Sequence, residues 1–143
     1  MKRKLILFAV MSVFALGLTA QINGTQLKET DNKNAEATQA EIKFDTLKID
    51  LGTFSEREPI QTCTFTFTNI GNAPLILNQA FASCGCTVPT YTKEPVMPGE
   101  KGKIDVTYNG KGKFTGHISK TITVRSNAKN ELVRLTIEGN MTK

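Results

Sequence analysis

The sequence predicts an all-β sandwich of about seven strands. Three observations carry that expectation. From Glu41 to Lys143 the apolar residues come in short runs, many alternating with polar ones; Gly, Pro and Asn punctuate them; and no stretch combines a helical apolar period with capping residues. Roughly 100 residues in one such sandwich bury enough surface to fold without a covalent staple.

Ile42 and Phe44 open the first strand, and Ile49 and Leu51 bring a second short alternation before Gly52. Gln61 to Asn69 is the clearest strand: Cys63, Phe65 and Phe67 share one face, expected to be core, and Thr62, Thr64, Thr66 and Thr68 form a ladder on the other. Asn69 to Pro74 reads as a turn. Leu75, Leu77 and Phe81 mark the next strand, with Gln79 breaking the alternation. Ile104, Val106 and Tyr108 alternate, as do Ile118, Ile122 and Val124 with Lys120 as an exception, and Val133, Leu135 and Ile137 close the domain.

What precedes the sandwich sets its compartment. Met1 to Lys4 is a basic stretch, Leu5 to Leu18 is apolar and uncharged, and Thr19 and Ala20 are small, which together read as a secretory signal peptide (1–20) cut between Ala20 and Gln21. Leu18 stands where a smaller residue is usual, so an uncleaved anchor is the competing reading. A span needs roughly 20 apolar residues, however, and this run is shorter. No Cys lies near the cut to carry a lipid. Residues 21–40 are polar, with Ile22 and Leu27 the only large aliphatic side chains, and read as a flexible linker to a domain spanning 41–143. The expected location is the periplasm or the cell surface, with no stable membrane span once the signal is removed.

Export also reinterprets the charge. The chain carries +5, and losing Lys2, Arg3 and Lys4 brings it to +2, because the segment holds no acid. A nucleic-acid partner is thereby excluded by compartment and by charge. The lysines between Lys101 and Lys120 admit two readings: a solvated face that discourages edge pairing of strands, or a surface for lipid headgroups or acidic glycan.

Chemistry-bearing residues are few. One His and no Gly-rich phosphate loop, nucleophile elbow or paired catalytic carboxylates leave no catalytic set and no cofactor site, which points to a non-enzyme. Ser83-Cys84-Gly85-Cys86-Thr87 is the most specific feature. Gly85 permits the backbone turn that would bring Cys84 and Cys86 together. As a staple this pair is weak: closing so small a ring removes about 1.6 kcal/mol of unfolded-chain entropy, against about 3.4 kcal/mol for Cys63 with either partner. Cys63 nonetheless shares a face with Phe65 and Phe67 and reads as a small core residue, so Cys84 and Cys86 are the expected pair. Three uses remain open for them: a loop brace, an exchangeable thiol pair, or a soft-metal pinch for Cu(I). His117, in the loop that precedes a strand, is a weak third metal ligand or base, and Met97 a weak thioether. Asn23-Gly-Thr25 and Asn140-Met-Thr142 match the N-glycosylation pattern, and Asp45-Thr46-Leu47 resembles an O-glycan acceptor of some Bacteroides-group bacteria.

Four segments carry a family resemblance: Thr66 to Leu75, with its Asn-Ile-Gly-Asn-Ala-Pro turn; Ser83 to Pro89; Pro98 to Gly102; and Ser119 to Asn127. Together, over about Ile42 to Gly139, they resemble a family of small exported Bacteroides-group proteins with a single domain of unassigned function. That domain is similar to the abnormal-spindle/Hydin and major-sperm-protein type. The resemblance implies an immunoglobulin-like sandwich and an importance for Cys84 and Cys86, and it implies no reaction; Cys63 and His117 stand outside the shared pattern. Lack of Trp and of a second core Cys around Ile122 sets the domain apart from antibody-type sandwiches. The functional expectation is an exported, non-enzymatic module that binds another protein or an envelope component, with thiol–disulfide or Cu(I) handling as the alternative.

Overall fold

Eight strands form two packed four-stranded sheets in the computed structural model, which describes residues 38–143. In chain order they are β1 (Ile42–Phe44), β2 (Lys48–Ser55), β3 (Ile60–Asn69), β4 (Leu77–Ala82), β5 (Thr87–Tyr91), β6 (Lys101–Asn109), β7 (Gly116–Ser126) and β8 (Leu132–Thr142). The first sheet runs β1-β3-β6-β5 and the second β2-β8-β7-β4. All pairs are antiparallel except β2 with β8. The expected signal peptide, the cut between Ala20 and Gln21, the Asn23 sequon and most of the linker lie outside the described residues.

Alternation builds the core. Phe65, Phe67, Ile104, Val106 and Tyr108 from the first sheet meet Ile122, Val124, Leu135 and Ile137 from the second, all at 1% exposure or less. Phe44 and Phe67 stack at 5.5 Å in a tilted pair, and Phe54 meets Tyr108 edge-on at 6.1 Å. The threonine ladder of β3 faces away from this core, and Thr64 donates a 2.7 Å hydrogen bond to Asp105 on β6. That bond and neighbouring Lys103 hold the Asp105 carboxyl below its usual range.

Four sequence expectations are corrected. The expectation that Phe81 shares a strand face with Leu75 and Leu77 fails: a bulge between Leu77 and Gln79 shifts the register, so Phe81 turns outward at 45% exposure. Cys63 is half-buried rather than core, because burial on β3 deepens only toward its Asn69 end. Burial first and the charge of Asp105 second push its thiol pKa up. The strand β5 was not anticipated at all. Finally, the lysines do not guard edges, since β6 and β7 are interior strands. The true edges are blunted otherwise: β1 is only three residues long, β5 contains Pro89, and β2 and β4 are bulged.

Ala40, grouped with the linker by composition, is a core residue at 2% exposure. Its carbonyl accepts from the Lys129 amide at 2.8 Å, and Gln39 and Asn72 bond each other in both directions.

Candidate functional site

The strands run so that the connections collect at two ends. At the end where the N-terminal segment docks lie the Asn69–Pro74 turn, the Met97–Glu100 turn and the Asn127–Glu131 loop. Asparagine side chains organise it. Asn69 is fully buried; its amide nitrogen donates to the Ala73 and Val96 carbonyls at 2.7 and 2.9 Å, and its Oδ1 accepts from the Gly71 and Glu41 amides. Asn127 bonds Ile76 and Pro74, and Asn130 bonds both backbone groups of Ile42. Asn suits such corners because one side chain supplies both a donor and an acceptor to loose backbone.

The opposite end holds the β2–β3, β4–β5 and β6–β7 connections, tied by backbone bonds from Gly110 to Pro59, Asn109 to Cys86 and Glu56 to Thr142. Here the chain leaves β4, an edge of one sheet, and crosses to β5, an edge of the other. Cys84 and Cys86 occupy that corner and are disulfide-bonded, with Cα atoms 5.3 Å apart. Both are half-buried, Cys86 against the core, and the Thr87 hydroxyl lies 3.7 and 3.8 Å from the two sulfurs. The Ser83 and Thr87 amides bond Thr121 and Cys84 carbonyls, which fixes the corner to β7.

His117 lies within β7, opposite Asn140, not in the preceding loop, and is exposed. Among the described residues no three His, Cys, Asp or Glu side chains gather in a way that could hold a metal, so Cys84, Cys86 and His117 form no such cluster. Met97 is 48% exposed at the other end. Thr46 and Asn140 sit on the surface, with the Thr46 hydroxyl donating to the Lys48 carbonyl.

Sequence reasoning missed a cleft at this end. A cleft of about 420 Å³ lies beside the β6–β7 loop, lined by Lys113 and Phe114 of that loop, Tyr108 of β6, and His117, Ile118 and Lys120 of β7. Lys120, the exception in its strand's alternation, stands opposite Ile137 on the core-facing side of β7 and is half-buried in this cleft. Burial pushes the Tyr108 phenol pKa up. Phe114, in the β6–β7 loop, is 98% exposed. Its signal was a lone aromatic, between Lys113 and Thr115, in the Gly- and Lys-rich stretch Asn109 to Gly116, a segment read for its lysines alone.

Two edge-blunted sheets, antiparallel but for β2 with β8, with loops at both ends define a β-sandwich of the immunoglobulin-like, PapD-like kind. Solved structures agree at the level of fold. A protein of unknown function from Porphyromonas gingivalis W83 superposes with TM-score 0.63 at 15% identity over 73% of this chain; this chain spans 48% of that protein, about half its length. The ASH/PapD-like domain of human CEP192 (PapD-like domain 7) gives 0.55 at 10% identity, covering 94% of this chain and 99% of that one. The periplasmic chaperone SfaE gives 0.54 at 10% identity, over 71% and 58%. No curated protein matches the chain. Over residues 42–141, the chain belongs to the family described as Protein of unknown function (DUF1573).

Proposed function

We propose that this protein is exported and works as a non-enzymatic binding module of the periplasm or cell surface, holding a protein or an envelope component at the end remote from its N-terminal tether. One observation carries the reading: the tether end is closed by satisfied asparagine bonds, while the opposite end presents an open cleft and a bare aromatic on a braced scaffold. The blunted edges argue against strand addition as the mode of contact. Likeness to SfaE, a periplasmic chaperone, and the basic-apolar N-terminal sequence support the compartment.

A photo-crosslinking side chain at position 114, expressed in cells, should trap a reproducible partner that the same probe at position 70 does not. Equal capture from both positions, or none from 114, overturns the reading. Thiol exchange or Cu(I) handling by Cys84 and Cys86 makes a different prediction: Cys84→Ser would abolish a redox or copper-binding signal, and an unchanged profile in that variant removes it.

A further inference from the structure

Three features of the β6–β7 end have no structural task in the fold. Phe114 contributes nothing to the core, being 98% exposed. Lys111 and Lys113, which precede it, are exposed too, on a loop shaped by Gly112 at φ 71°, Gly116 at φ 123° and a bond from the Lys113 amide to the Gly110 carbonyl. Lys120 lines the cleft, which no carboxylate lines. The two ion pairs among the described residues, Lys48 with Glu138 and Lys103 with Asp105, involve none of these three lysines. The neighbouring β2–β3 turn holds Glu56, Arg57 and Glu58, one net negative charge against three positive, so this end stays cationic. Edge protection, which would have explained the lysines, is provided elsewhere.

We infer that this end docks onto an anionic phospholipid surface: Phe114 enters the boundary between headgroups and acyl chains, Lys111 and Lys113 lie against phosphates, and Lys120 binds a headgroup phosphate admitted to the cleft. The inference rests on the binding-module reading and names its partner. A lipid surface fits better than a protein one. Stable protein interfaces need a broad apolar centre, whereas here a single side chain protrudes from a glycine- and lysine-rich tip, a shape that a fluid surface closes around. Aromatic insertion and lysine attraction to anionic headgroups act together at such a boundary.

The chain contains no Trp, so Phe114→Trp introduces a sole indole reporter at a side chain outside the core. The variant, purified in its processed form from the periplasm of expressing cells, is titrated with phosphatidylglycerol/phosphatidylcholine vesicles and with phosphatidylcholine alone. Emission should shift to the blue with the anionic vesicles only, and more weakly as salt rises. Adding Lys111→Glu and Lys113→Glu should weaken partitioning by more than about tenfold. Lys120→Gln should weaken it less, and inorganic phosphate alone should leave the emission unchanged. Ile70→Trp, at the opposite end and 52% exposed in its native form, should not respond. No shift at 114, an equal shift with neutral vesicles, or an equal shift at 70 overturns the inference. A protein crosslinked from position 114 in cells without any vesicle response removes the lipid partner and leaves the binding module standing.

Discussion

The two ends of the sandwich solve the same problem by different chemistry. Both must satisfy the backbone groups of several converging turns. At the end where Ala40 docks four asparagines do this, with buried Asn69 alone making four hydrogen bonds and Ala40 sealing the core beside it. At the other end backbone bonds, one two-residue disulfide step and exposed side-chain bonds of Ser55, Gln61, Ser83 and Asn109 hold the turns, beside a cleft. Stability is thus concentrated where the chain enters, and surface chemistry is left free where it does not.

Asn69→Ala should expose that asymmetry most strongly. It removes donors and acceptors from a fully buried corner and should cost about 2–4 kcal/mol, read as a lower urea midpoint. A loss below about 1 kcal/mol would mean that the asparagine-rich end is not the locked one. Gly102→Ala comes next: a Cβ there collides with the Phe67 ring, which is fully buried, so about 1–3 kcal/mol should be lost, read as a lower Tm.

At the cleft end the expected effects shrink. Replacing both Cys84 and Cys86 by Ser should cost no more than about 1.6 kcal/mol, since so short a ring constrains little of the unfolded chain. Hydrogen exchange should quicken at the Thr87 and Asn109 amides, which bond the corner, and stay unchanged around Asn69. The smallest effect concerns Cys63. Its raised thiol pKa means the folded state holds the proton more tightly than the unfolded state does, so its share of stability is present below the ordinary thiol range and falls as pH rises through it. Iodoacetamide at mildly alkaline pH should therefore label Cys63 more slowly in the native protein than in urea, by intact mass.

How much of this could be read from the residues varies with how local the cause is. The β3 ladder was legible because period two needs only neighbouring residues, and the Ser83 to Thr87 corner stood out because two thiols around a glycine are rare punctuation. The outward turn of Phe81 was not legible, since a bulge is fixed by the partner strand rather than by the bulged one. Pro89 concealed β5: proline argues against a strand unless the strand is an edge, and only the assembled sheet makes it one. Lys120 registered as a broken pattern, but its meaning depended on where the cleft lies. Asn69 passed for a turn residue because its four backbone partners lie up to 28 residues away.

The parallel pairing of β2 with β8 has a kinetic consequence. Lys48 meets Thr136, and Asn130 grips Ile42 from 88 positions downstream, so β2, unlike β1 with its near partner β3, finds its strand partner only in β8. Loop closure over such spans is slow, and β2 stays an unpaired segment until the end of the chain has been delivered. The second sheet therefore cannot close until β8 is made, whereas β1, β3, β6 and β5 can pair into the first sheet before it.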